Sequence, residues 1–153
     1  MALPDIFSKE VSEGIIDRIN KLNNTAQAKW GKMNVSQMLA HCTVTYEYIF
    51  EEEKYPKPRG IRKLLLKMFI KGIVTNEKGY KPGSPTAPDF IITDQRDFDR
   101  EKTRLVDYIR KTQSLGAAHF DGKESHSFGV LNRTQWNNMF YKHLDHHLTQ
   151  FGV

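Results

Sequence analysis

Residues 136–151 read Trp136-Asn137-Asn138-Met139-Phe140-Tyr141-Lys142-His143-Leu144-Asp145-His146-His147-Leu148-Thr149-Gln150-Phe151. Trp136, Phe140, His143, His147 and Phe151 step by four, three, four and four, which stacks them on one face of an α-helix. Asn132 stands where the helix needs a cap and Gln135 follows it by three, the spacing of a capping box. Gly152 is placed to stop the helix. Two positions of the inward face that should be apolar are therefore histidines. Residues four apart on a helix have Cβ atoms about 5–6 Å apart, so two imidazoles there can reach one ion.

The rest of the chain supplies partners for that helix. Ile6, Val11, Ile15, Ile16, Ile19 and Leu22 recur at helical spacing and predict a first helix over 7–23, ended by Asn23-Asn24-Thr25. A second helix opens at Asn34, again with Gln37 three residues on. It carries Met38, His41, Cys42, Thr45, Tyr48 and Ile49 to the acidic run Glu51-Glu52-Glu53. Pro56 and Pro58 forbid its continuation. A third long helix is expected over 98–115, closed by Gly116, and 117–131, with Gly122 and Gly129, reads as loop. Four long helices with little strand signal predict an all-α fold, a four-helix bundle in a single domain spanning 1–153. The long connection between the second and third helices permits an order other than up-down-up-down.

That connection has its own pattern. Between Lys54 and Lys81 there are nine Lys or Arg residues and one acid, Glu77. Arg59, Lys63, Lys67 and Lys71 are spaced four apart on one face of a short helix over 59–74, with Ile61, Leu64, Leu65, Met68 and Phe69 on the other side. A compact domain has to cover this crossover, so the apolar side is expected to pack on the protein's own helices. The stretch 79–94, with Pro82, Gly83, Pro85 and Pro88, is loop by composition.

With 39% hydrophobic and 27% charged residues, the composition is that of a globular chain able to bury a core. No apolar run approaches the roughly 20 residues of a membrane span. No basic region followed by an apolar stretch opens the chain, and Cys42 is the one cysteine, so a reducing cytoplasm is the expected setting. The net charge of +5 admits acidic partners. Nothing matches a nucleic-acid module, because aromatic residues are not interleaved with the basic ones.

The histidines carry the chemistry. His41 lies in the inward stripe of the second helix between Met38 and Thr45, and alone it reads better as a hydrogen-bonded core histidine than as a ligand. The His143/His147 pair reverses that balance, because burying two imidazoles without a shared partner is costly. Facing helices of a bundle can bring all three to one metal. His146 sits about 60° round the helix from His143 and about 100° from His147, so it is not expected to share the ion. His119 and His126, in the expected loop, carry a weaker signal. Leu144, where a zinc-protease helix has its general-base glutamate, argues against that class. Neutral imidazoles suit zinc, nickel, iron or copper better than magnesium or calcium. Three protein ligands would leave a coordination position open.

Trp30-Gly31-Lys32-Met33, Met38-Leu39-Ala40-His41, His126-Ser127-Phe128-Gly129 and the terminal block from His143 to Gly152 together resemble the DinB-like (YfiT-like) metalloenzymes. The resemblance covers nearly the whole chain and is most specific in the terminal block. It implies an up-up-down-down four-helix bundle with a long crossover between helices two and three. It also implies a divalent metal, zinc or nickel foremost and then iron, held by His41, His143 and His147. Some members of that group are transferases that use low-molecular-weight thiols. The resemblance therefore implies a small-molecule substrate, such as a thiol, and a transferase or hydrolase reaction, and it is compatible with a homodimer. A non-catalytic bundle that uses its basic face on acidic partners, with a structural metal, is the competing expectation.

Overall fold

The computed structural model describes residues 1–153 and is mostly helical. Its elements are α1 (Lys9–Asn20), α2 (Val35–Phe50), α3 (Gly60–Leu65), α4 (Lys71–Thr75), α5 (Phe98–Phe120) and α6 (Arg133–Gln150). A π turn over Leu66–Ile70 joins α3 to α4, and 3-10 turns occur at Glu52–Lys54 and Pro88–Phe90. The only sheet is an antiparallel pair of two-residue strands, β1 (Glu124–Ser125) and β2 (Gly129–Val130).

Helix starts follow the capping residues. Asn34 and Asn132 both form the full reciprocal box with Gln37 and Gln135. The first helix is shorter than its apolar pattern suggests. Ser8 accepts from the Val11 amide and so begins the helix after Phe7, and it ends at Asn20 rather than at 23. The 98–115 helix runs longer than expected, to Phe120, across a break at Gly116, whose φ of 75° only glycine adopts readily. The extra turn seats Phe120 in the core against Phe7, Trp136 and Phe140, and the rest of the expected loop contains the hairpin. Two-residue strands are too short to leave a periodicity in the sequence.

α2 sits at the centre and is buried on nearly every side from Val35 to Glu47. α5 packs on α1 and α2, and α6 touches α1, α2 and α5. The core between them is built from Ile15, Ile16, Ile19, Met38, Leu39, Tyr46, Leu105, Ile109, Trp136 and Phe140. Two buried carboxylates, Glu47 of α2 and Glu101 of α5, share Arg104, and Glu47 has the fuller set of donors. It accepts from Lys54 Nζ (2.6 Å), the Tyr55 hydroxyl (2.6 Å) and Arg104 Nη2 (2.5 Å). Burial alone would push the Glu47 carboxyl up, but these three donors outweigh it and hold it below its ordinary value.

The crossover contradicts its expected orientation. Ile61, Leu64, Leu65, Met68, Phe69 and Ile73 face outward, and the lysines face the protein. Lys63 Nζ pairs with Glu124, Lys71 Nζ donates to the Val130 carbonyl, and the Lys67 stem lies over Gly129. The far end is pinned by α6. The buried Lys142 donates to the carbonyls of Ile73 (2.6 Å) and Asn76 (2.8 Å), and Asn138 donates to the Thr75 carbonyl (2.9 Å). The hairpin and α6 offer this segment polar partners, so its basic face is the one that docks.

Candidate metal centre

α2 and α6 each bring inward histidines to the same level of the core. His41 and His147 are buried and His143 is partly exposed. The ring centroids of His41 lie 4.9 Å from His143 and 4.5 Å from His147, and those of His143 and His147 are 4.9 Å apart. One ring nitrogen from each of the three lies within 4.8 Å of the other two.

The outer edge of each ring is fixed by a different part of the chain. His41 Nδ1 donates to the Phe90 carbonyl at 2.7 Å, and His147 Nδ1 donates to Gln150 Oε1 at 2.8 Å. Both partners are pure acceptors, so both protons belong on Nδ1. His143 Nδ1 meets the Thr45 hydroxyl at 3.0 Å, a group that both donates and accepts. With every Nδ1 engaged, the Nε2 atoms face inward, and those of His41 and His143 are 3.0 Å apart.

This donor set fits a cation. With their protons on Nδ1, His41 and His147 each present Nε2 as an acceptor. His143 has one N–H to offer and can satisfy only one of them, whereas a shared cation satisfies all three. Outer partners that fix tautomer and ring orientation are the usual companions of metal-ligating histidine. With zinc–nitrogen bonds of about 2.0–2.1 Å, two ligand nitrogens lie at most about 4.2 Å apart. The His41–His143 pair is inside that limit and the whole set is close to it.

All three imidazoles are held neutral, as metal ligation requires. Burial lowers His147 to about 3, aided by His41 and opposed by the Gln150 contact. Burial likewise takes His143 well below its ordinary value, with His147 and His41 adding to it. Burial lowers His41 too, against the Phe90 hydrogen bond.

The remaining candidates fall elsewhere. His146 lies tilted against Trp30 and edge-on to Tyr80, with ring centroids 5.7 Å away in each case, and is outside the set of three. His126 lies face to face with Tyr48 at 3.8 Å, and His119 lies in the last turn of α5 beside Phe120. Cys42 is a core side chain whose thiol burial pushes up. Asp145 is tied to Arg18 at 2.7 Å on the outer face of α6.

Sequence patterning missed the supports of the rings. The Phe90 carbonyl is backbone, and the 3-10 turn that presents it lies in a stretch read as loop. Tyr48 anchors that turn by donating to Asp89 at 2.7 Å. Gln150 did leave a signal, three residues beyond His147. Its Nε2 donates to the Trp30 carbonyl at 2.6 Å, and a Cβ on Gly31 would lie only 2.7 Å from that nitrogen. The Trp30-Gly31 pair therefore shapes the support of His147.

Fold and cluster together define a mostly helical protein whose three core histidines lie close enough to bind a metal ion. Residues 9–152 match the family described as "Protein of unknown function (DUF1569)", and the chain belongs to that family. Searches of curated proteins and of solved structures gave no match.

Proposed function

We propose that the protein is a metal-dependent enzyme of the DinB-like kind, with His41, His143 and His147 as ligands of one divalent transition metal. The observation that carries this reading is the convergence of three Nε2 atoms whose Nδ1 partners are all already in place. In this reading α1, α2, α5 and α6 form an up-up-down-down bundle, which the mutual packing of α5 and α6 with both earlier helices supports.

When bound, such a cation supplies Lewis acidity that lowers the pKa of a coordinated thiol or water. The chain's own groups do the rest. Gln150, Thr45 and the Phe90 carbonyl hold the imidazoles in register. His143 is the least buried of the three residues. Asp145 is committed to Arg18, and Asp89 accepts from Tyr48, so neither is an unencumbered general base. That arrangement favours a small-molecule substrate that brings its own nucleophile, such as a low-molecular-weight thiol, over base-assisted proteolysis.

The test is cobalt substitution of the metal-stripped full chain, followed by titration with small thiols and azide. A visible spectrum that changes on adding ligand shows an open coordination position and supports the reading. An unchanged spectrum, with loss of the helical circular dichroism signal on metal removal, means that the ion is structural and removes the enzyme reading.

A further inference from the structure

The outward face of the 60–75 segment is unlike an ordinary surface helix. Ile61, Leu64, Met68 and Phe69 are 76, 54, 64 and 62% exposed, with Leu65 and Ile73 beside them at 48 and 54%. In an unbroken α-helix, Ile73 would sit about 120° round from Ile61, twelve steps of about 100°. The π turn at Leu66–Ile70 widens the coil by about one residue and turns Ile73 back toward the stripe. The segment is held in this pose by Lys142 and Asn138 at one end and by the hairpin along its inner side. The apolar face is thus presented by a fixed scaffold.

Its surroundings are cationic. Of the nine basic residues between Lys54 and Lys81, only Lys54, Lys57 and Lys63 pair with a carboxylate. Arg59 and Arg62, at the start of α3, and Lys78 and Lys81, just beyond α4 in the chain, are exposed and have no acidic partner. An apolar stripe with Phe and Leu, in a segment that also carries unpaired exposed cations, is the pattern of a helix that lies in the plane of a membrane interface. No helix here is long and apolar enough to cross a membrane, so the contact would be a surface one. A second copy is a poor occupant, because closing two such faces would bring two sets of unpaired cations together. A nucleic-acid backbone would leave the apolar stripe unburied.

We propose that this face docks on an anionic lipid bilayer, with Ile61, Leu64, Met68 and Phe69 entering the headgroup region and the flanking cations meeting lipid phosphates and carboxylates. The proposal is independent of the reaction run at the histidines.

The experiment is co-sedimentation of the full chain with vesicles of pure phosphatidylcholine and of an equimolar phosphatidylcholine–phosphatidylserine mixture, across a salt series. Binding is expected on the anionic vesicles and is expected to weaken as salt rises. Arg59→Glu/Arg62→Glu should reduce partitioning at least about 25-fold, from roughly fivefold for each surface charge. Leu64→Asp/Met68→Asp should abolish it. All four positions are exposed, so the thermal melt of each variant should match wild type and certify the fold. Absence of binding to anionic vesicles, or equal binding by the folded variants, overturns the proposal. So does a concentration-dependent dimer dispersed by Leu64→Asp/Met68→Asp, or a nucleic-acid complex that either double variant abolishes.

Discussion

Gln150→Leu isolates the part of the site that no ligand assignment includes. Leucine keeps the approximate volume and removes both amide functions. The wild-type amide accepts from His147 Nδ1 at 2.8 Å and donates to the Trp30 carbonyl at 2.6 Å, and the side chain is almost fully buried. The buried His147 Nδ1–H and the part-buried Trp30 carbonyl then lose their partners, which costs about 1–3 kcal/mol of apo-protein stability after local relaxation. Metal affinity should fall separately. Without the acceptor, the His147 ring is less basic and less fixed in orientation, and losses of about 10–100-fold follow removal of such partners. That corresponds to about 1.4–2.7 kcal/mol. The assay is competition against a chromophoric zinc chelator above pH 7, with urea unfolding of the apo protein measured in parallel. Gln150→Glu is the control, since it keeps an acceptor for Nδ1 but loses the donor to Trp30. It should keep near-wild-type affinity while losing stability. If folded Gln150→Leu binds zinc as tightly as wild type, the argument that His147 depends on Gln150 is wrong.

Three further outcomes are expected. Glu47→Gln should lower stability by about 2 kcal/mol in urea unfolding, below the usual 3–5 for a broken buried pair, because Arg104 keeps Glu101 and Lys54 is 43% exposed. The Glu47 carboxyl is held below its ordinary value in the fold, so its contribution is present above about pH 4.5 and is lost as pH falls further; that part of the acid destabilisation should be missing in Glu47→Gln. Lys142→Met removes three hydrogen bonds to the end of α4 and should expose 60–75 to limited proteolysis while the remaining helices stay protected. Gly31→Ala meets both a φ of 85° and the Gln150 amide, and should reproduce a weaker form of the Gln150→Leu affinity loss in the chelator assay.

How much of this was legible in the sequence differs by element. Both capping boxes are legible in the sequence, because a cap is a local arrangement of a few adjacent residues. The helical phase of His41, His143 and His147 was also readable, since a core-facing position follows from spacing alone. Both ends of α1 and the far end of α5 differ from the apolar pattern. Apolar residues outside α1, such as Phe7 and Leu22, join the core without being helical, and Gly116 breaks a helix that then resumes. The orientation of the crossover, opposite to the one its pattern predicts, has a non-local cause. Which face of an amphipathic segment docks depends on what awaits it, and here Glu124, the Val130 carbonyl and the end of α6 offer polar partners. Periodicity cannot report that. The Phe90 carbonyl was invisible for a related reason, since a backbone acceptor has no residue identity to read.

In the proposed site His41, His143 and His147 share one metal ion and His146 stands outside it. Elemental analysis of tag-free protein, reconstituted with one metal and dialysed, tests this directly when wild type is compared with four single alanine variants. The expected result is one ion per chain in wild type and in His146→Ala, and little or none in His41→Ala, His143→Ala and His147→Ala. A wild-type protein that retains no ion, or a site emptied by His146→Ala and filled in His147→Ala, would contradict it.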